Sequence, residues 1–423
     1  MAVPAAMATP KNYIWVALAL AFVGQMANSL VGQAIGPLAP FIMHDLSISR
    51  EEIGWLSSAV RGAAVFSIFV SGWLTDKLGV RKMLGVSLVI SAFFLTVAAG
   101  MPTYLAVLVP MFFSGMARGP INPATTSIVA HWFSVRSRGA AMGIKQTAVP
   151  AAGFIAGVAL PGLAVLLGWR SGLTIIAVLV FLAGIICLAF YRNYPLHLDV
   201  GHAHSLTRDG LRKIMSDGNL IMMSIFAALL VGVQNSVLAF WVLYLVEARG
   251  LSEVAAGGFL SAVMVGGFVA RIVLGFTSDR VFGGRRKGVL IVVSLVCIVE
   301  SFVLGQMGTT LSDGWIWFFS ILLGVSAVGW NGLYFAMVVQ SRAREVAATV
   351  TGYSMTIQEV GNFLLPPIFG RIADSTNSYE WSWYYLVIIA ALALLFLLPT
   401  REHVSPTETP APAPSDSRSG PDR

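Results

Sequence analysis

The sequence predicts an all-α membrane protein in which twelve transmembrane helices form two six-helix pseudo-repeats. Three observations predict it. Hydrophobic residues make up 57% of the 423 residues and charged ones only 11%, against the roughly 25% charged content of a soluble domain. Apolar runs longer than the roughly 20 residues that cross a bilayer core recur along the whole chain. One pattern of glycine, acid and base occurs twice, at the same place in each half.

The first span covers about 13 to 38. Lys11 precedes its apolar run as in a signal peptide, but the run continues through "MANSLVGQAIGPLAPFI" without a cleavage end, so it reads as a span. The second and third, about 53 to 73 and 83 to 100, flank a loop holding Lys77, Arg81 and Lys82. The fourth, about 103 to 128, stops at the polar run "HWFSVRSRG", and the fifth, about 140 to 165, begins after Arg136 and Arg138. After the sixth, about 172 to 191, comes the longest loop, 192–218, which divides the spans into two sets of six. The seventh, eighth and ninth cover about 219 to 246, 256 to 276 and 288 to 308, and the second copy of the basic loop joins the last two. Arg342 and Arg344 separate the tenth, about 314 to 339, from the eleventh, about 347 to 370. The twelfth, about 383 to 399, leads into "SPTETPAPAPSDSRSGPDR", too poor in apolar residues to fold. The organisation is a first bundle over 1–191, a cytoplasmic loop over 192–218, a second bundle over 219–400 and a disordered tail over 401–423.

With the N-terminus inside, 19 basic loop and tail residues fall on the cytoplasmic side and only four, Arg50, Arg170, Arg249 and Arg371, on the other. The positive-inside rule then places both termini in the cytoplasm of a bacterial-type inner membrane. Topology accounts for the net charge of +7, so no nucleic-acid partner is implied. Cys187 and Cys297 both lie in apolar runs and read as small core residues rather than a disulfide.

The repeated pattern is "GWLTDKLGVRK" (Gly72 to Lys82) and "GFTSDRVFGGRRK" (Gly275 to Lys287). This pair resembles the signature loops of the major facilitator superfamily, and the resemblance extends over residues 13 to 399. It implies that Gly72, Asp76, Arg81, Asp279 and Arg280 belong to conformational-switch loops. A contact made in one rocking state and broken in the other biases a two-state equilibrium. "RGPINPATTSIVAHWFSVRSRGAAMGIKQ" is similar to the fourth-to-fifth helix region of anion:cation symporters, and "GFVARIVLGFTSD" to the eighth helix of monocarboxylate porters. The latter resemblance implies that Arg271 contacts a substrate carboxylate.

Six ionisable residues fall well inside spans: Arg61, Arg118, Lys145, Arg271, Glu300 and Glu359. Each costs roughly 2.5 to 3.5 kcal/mol on insertion scales, so such groups face a bundle interior or a watery cavity. Four cations against two acids suit an anionic solute, because a carboxylate forms charge-assisted hydrogen bonds with arginine. Counting helical rise places Arg61, Arg118 and Glu359 roughly 20 Å from the cytoplasmic face, and Lys145 and Arg271 roughly 9 to 12 Å from it. The superfamily's arrangement implies that Arg61 faces Glu359, that Lys145 faces Arg271, and that Arg118 stands on the cavity wall. The expected roles are an anion site at Arg118, Lys145 and Arg271, with Glu359 taking up the coupling proton and pairing with Arg61 when charged. Glu300, on a peripheral helix, reads as a protonated or locally hydrogen-bonded acid. Asn122, one turn from Arg118, together with Gln234, Asn331 and Tyr334, completes the expected substrate site; Gln25, Asn28, Gln33, Asn235, Trp330, Gln358 and Asn362 lie on spans that border it.

The functional reading is a secondary active transporter of a small organic anion, a monocarboxylate in the first instance, working as a monomer in the lipid bilayer with protons. No phosphate-binding G-x-x-x-x-G-K-[ST] loop, H-E-x-x-H or G-x-S-x-G motif occurs, so neither a cofactor nor enzyme chemistry is expected. A proton-linked exporter of drugs or amphiphiles is the alternative within the class, and a transporter-like membrane receptor the alternative outside it.

Overall fold

A computed structural model describes residues 13–193, 215–283, 285–307, 309–340 and 347–402. The predicted tail disorder from 403 onward, and most of the 192–218 loop, lie outside the described residues. The first half contains α1 (Tyr13–Gln33), α2 (Ile35–Leu46), α3 (Arg50–Gly62), α4 (Val65–Ala99), α5 (Tyr104–Arg118), α6 (Ile121–Trp132), α7 (Val135–Leu167) and α8 (Trp169–Phe190). The second contains α9 (Gly218–Arg249), α10 (Glu253–Arg280), α11 (Arg286–Met307), α12 (Asp313–Leu323), α13 (Asn331–Gln340), α14 (Ala347–Thr376) and α15 (Glu380–Leu397).

Among the described residues ten helical segments are long and apolar enough to cross a membrane. The other two predicted spans, 53–73 and 347–370, are helical as well, in α3 with the start of α4 and in α14. The outward faces are apolar, as on α8, where Leu179, Leu182 and Ile186 are exposed as a lipid-facing stripe should be.

Local signals set the boundaries. Ser49 opens α3 with a capping box: its hydroxyl accepts from the Glu52 N–H, and the Glu52 carboxylate accepts from the Ser49 N–H. The second and third predicted spans run on as one helical stretch, α4, broken only at Gly79, whose φ of +78° a glycine adopts without strain. Three predicted spans are interrupted within the membrane: α1 from α2 at Ala34, α3 from α4 at Ala63 and Ala64, and α5 from α6 at Gly119 and Pro120. The tenth span is interrupted too, by a π-helical turn over Gly324–Val328 that the apolar periodicity did not reveal.

Each half packs largely within itself, α4 against α5 and α8 in the first, α9 against α14 and α11 against α15 in the second. The halves meet through α3 on α14 and α7 on α10, the two pairings that the resemblance implied, and also through α2 on α9. Glycines permit that approach. Gly36 lies against the Leu238 carbonyl, Gly54 and Gly62 against Pro367 and Phe363, and Gly157 against Gly257 and Ser261; a methyl group at any of them would overlap its neighbour. Farther along the same helices the contact ends among the described residues, where Gly139, Gly143, Gly275 and Gly352 have no neighbour near the position a Cβ would take. The apolar core follows the same division. Val237–Leu245 of α9 belong to a core shared by both halves, whereas Leu220–Val231 belong to one built from the second half alone. The molecule is therefore closed at the arginine-poor end and opens toward the basic end.

A polar cluster joins the halves at the closed end. Arg50 of α3 pairs with Glu247 of α9 (Nε to Oε2, 2.8 Å) and with Asp374 of α14 (Nη1 to Oδ1, 3.3 Å). The backbone N–H groups of Arg50 and Glu51 also donate to the Asp374 carboxylate, at 3.1 and 2.8 Å, so a side chain of one half caps a helix of the other. Tyr379 donates to Glu247 at 2.5 Å, and burial together with the neighbouring Glu247 carboxylate pushes its phenol well above the ordinary value, keeping it a donor.

Candidate functional site

Between the halves, inward of that closed end, lies a cavity of about 290 Å³. Its lining brings together Arg61, Arg118, Asn122, Gln234, Arg271, Asn331 and Glu359 of the predicted site residues, with Gln25, Asn28 and Gln358 of those expected to border it, and Gln146. Three guanidinium groups thus face one carboxylate, in a wall otherwise rich in amides.

The two deepest arginines owe their position to the helix interruptions. Arg61 stands one residue before the end of α3 at Gly62; Arg118 ends α5 and is followed by Gly119. A helix C-terminus presents carbonyls that no backbone N–H fills, and these favour a cation. Arg118 uses one directly, donating through Nη1 to the Val60 carbonyl in the last turn of α3, while its Nε donates to Asn28 Oδ1 at 2.9 Å. The two interruptions are stacked, with the Ser67 hydroxyl donating to the Met116 carbonyl at 2.6 Å and Gly119 lying against Ser67. Gly32 of α1 supplies the remaining space, since the Arg118 guanidinium lies where its Cβ would be.

Arg61 donates to Asn235 Oδ1 of the opposite half at 2.8 Å. Glu359 accepts from Asn362 Nδ2 at 2.9 Å and lies within electrostatic reach of Arg118 and Arg61. The expected Arg61–Glu359 contact is not made in this conformation, because Asn235 and Asn362 stand as their immediate partners. Arg271 reaches across from α10 and donates to the Gln146 carbonyl of α7 at 3.3 Å, leaving its buried Nε without a partner. The predicted opposition of the fifth and eighth spans holds, but through Gln146 rather than its neighbour Lys145.

Two predicted substrate residues do not reach the cavity. Lys145 is fully buried behind the wall, donating to Asn122 Oδ1 at 2.7 Å and Thr126 Oγ1 at 2.9 Å. Helical phase explains it, since a position adjacent to Gln146 is turned by about 100°. With its oxygen held by Lys145, Asn122 presents its amide N–H₂ to the cavity. Tyr334 is likewise fully buried, sharing a hydrogen bond with the Ser354 hydroxyl and packing on Phe226 and Trp330. Of the residues in the wall, Gln146, Phe335 and Met355 went unnoticed in the sequence, where neither charge nor motif marks them.

At the basic end the two loop copies do the same work. Arg81 donates to the Leu188 carbonyl at the end of α8 at 2.6 Å, and Lys287 to the Leu398 carbonyl after α15 at 2.7 Å, each tying a loop to the last helix of its own half. Asp279 and Arg280 are exposed, Arg280 lying over the Phe276 ring. Among the described residues none of these groups bridges the halves, as expected where that end is open. Gly72 and the side chain of Asp76 lie outside what the structure describes.

The chain resembles known transporters along most of its length. It is 25% identical over 381 residues to a hexuronate transporter of Bacillus subtilis (strain 168), covering 85% of this chain and 88% of that protein. It is 27% identical over 382 residues to a glycerol-3-phosphate transporter of the same organism, covering 84% and 85%. Among solved structures, a bacterial homolog of the human lysosomal transporter Spinster, in an inward-facing and unoccupied conformation, superposes with a TM-score of 0.79 at 15% identity over 92% of this chain and 97% of that one. The Major Facilitator Superfamily profile matches residues 21–366, across both halves, and the chain belongs to that superfamily of membrane transporters.

Proposed function

We propose that the protein is a secondary active transporter of a small hydroxylated organic anion, a sugar-acid-like monocarboxylate, moved with protons by alternating access. The observation that carries the reading is the cavity in which Arg61, Arg118 and Arg271 face a single carboxylate, Glu359. A carboxylate gains charge-assisted hydrogen bonds from Arg118 and Arg271, which both line the cavity. The amides of Asn28, Asn122, Gln234, Asn331 and Gln358 offer donors and acceptors suited to hydroxyl groups. The named substrates of two relatives, a hexuronate and glycerol 3-phosphate, belong to this class of hydroxylated anion.

Charge balance supplies the coupling. Glu359 is the cavity's acid, and a proton on it raises the net positive charge that an anion meets. With both termini cytoplasmic, the open end faces the cytoplasm and the Arg50 cluster closes the outer side. Solute and proton leave inward, and return requires that cluster to part while the basic ends close.

The test is uptake of labelled hexuronates and short hydroxy acids into proteoliposomes under an inward proton gradient. Accumulation is expected, and loss of it in Arg118→Gln and Arg271→Gln with folded protein retained. Full uptake in both variants would refute the anion site. A hydrophobic cation accumulated in place of carboxylates would favour a drug exporter instead.

A further inference from the structure

We propose that Glu300, a buried acid away from the central cavity, is a positioning residue for substrate recognition: through Ser326 it holds the π-helical turn that decides which residues of α13 face the solute. The inference rests on Asn331 meeting the transported solute.

The turn over Gly324–Val328 separates α12 from α13. A π turn holds one residue more than an α turn, so everything after it lags a straight helix by one residue, or about 100° of rotation. That lag places Asn331 and Gly332 in the cavity wall and leaves Trp330 and Leu333 buried behind it, at 0% and 6% exposure. The carbonyls around the wide turn are filled by the residues it positions. Trp330 Nε1 donates to the Ala327 carbonyl at 2.9 Å; Asn331 Nδ2 donates to the Val328 carbonyl at 3.3 Å and to Gln234 Oε1 at 3.0 Å. The cavity amide is thereby stapled to the turn itself.

The turn is seated from behind. The Ser326 hydroxyl donates to Glu300 Oε1, and both side chains are buried, at 0% and 1% exposure. Gly324 lies against the Val263 carbonyl of α10, and Val328 against Gly267. Among the described residues none of the contacts of Glu300 is with a cation, so an acid here works through its hydrogen bond rather than as a charge in an ion pair. An apolar residue in its place removes the hydrogen bond that seats the turn from behind, and the α-helical alternative advances each later residue by one position. Trp330 then occupies the place of Asn331, putting an indole where an amide faced the solute, and residue 332 moves to the buried place of Leu333.

A thiol at position 332 reads that rotation directly. Gly332 is exposed to the cavity with open space at its Cβ, while the native Cys187 and Cys297 are fully buried. In the full-length Gly332→Cys protein in nanodiscs, a membrane-impermeant maleimide is expected to label at the same rate when Glu300→Gln is added. Labelling should fall about 10-fold with Glu300→Leu, as the thiol becomes buried. Ser326→Ala, which removes only the hydroxyl, should produce a fall by a second route. Deleting Val325 in the Glu300→Leu background removes the extra residue, and should restore labelling because an ordinary α-helix then holds the same downstream register. In uptake assays without the reporter, Glu300→Leu should raise KM about 5-fold while Glu300→Gln leaves it unchanged. Unchanged labelling in both Glu300→Leu and Ser326→Ala, or an unchanged KM in Glu300→Leu, overturns the proposal. Failure of the anion reading shows elsewhere, as full uptake in both Arg118→Gln and Arg271→Gln, and leaves the labelling result standing.

Discussion

The closed end of the transporter is held by few groups, and Asp374→Asn tests how much they contribute. Asp374 accepts from two backbone N–H groups at the start of α3 and from the Arg50 guanidinium, so the substitution removes a charge facing both a helix N-terminus and an arginine. A helix cap contributes about 1 kcal/mol, and a negative charge at a helix N-terminus about 0.3–1 kcal/mol. The ion pair, with side chains 21% and 28% exposed, adds about 0.2–1 kcal/mol. Asparagine keeps one accepting oxygen, so the net loss is about 1.5 kcal/mol, and the ratio of closed to open states at this end falls about 10-fold. Nitroxides on Thr103 and Thr310, exposed positions at the closed end of opposite halves, report the change by double electron–electron resonance. A new, longer distance component is expected in Asp374→Asn, and a larger one when Arg50→Gln is added. The same short distance distribution in both would refute the assignment of the cluster as the outer closure.

The cavity yields three more expectations. Glu359→Gln should abolish proton-driven accumulation but spare substrate exchange, as measured by counterflow in proteoliposomes; intact accumulation would remove Glu359 from the coupling path. Gly32→Ala places a methyl group where the Arg118 guanidinium lies, at 2.5 Å from Nη2, and should raise uptake KM by about 10-fold with little change in thermal stability. Lys145→Met removes the donor that orients Asn122 and should raise KM about 5-fold without abolishing transport, whereas complete loss would return Lys145 to the substrate site.

Composition and chain pattern carried the broad architecture, because a bilayer penalises polar backbone and side chains so heavily that spans, loop charges and the duplicated basic loop stand out in a single sequence. The same penalty marked Arg61, Arg118, Arg271 and Glu359, and all four line the cavity. What the pattern did not specify was azimuth. Lys145 carries the same mark of cost but points behind the wall, because one residue of helical phase separates it from Gln146, and Tyr334 lies beyond it for a similar reason. Arg50 looked like a loop charge because its partners, Glu247 and Asp374, are 197 and 324 residues away along the chain.

The sequence by itself determined that this chain spans the membrane, divides into two related sets of helices and buries more positive than negative groups, since those properties follow from summed transfer energies that depend on residue type. Only the tertiary structure decided which of those groups share one cavity, which end is closed, and that a π turn beside Glu300 sets the register of Asn331. Those outcomes depend on helix rotation and on contacts between distant segments, where a displacement of one residue exchanges an amide for an indole at no cost in composition.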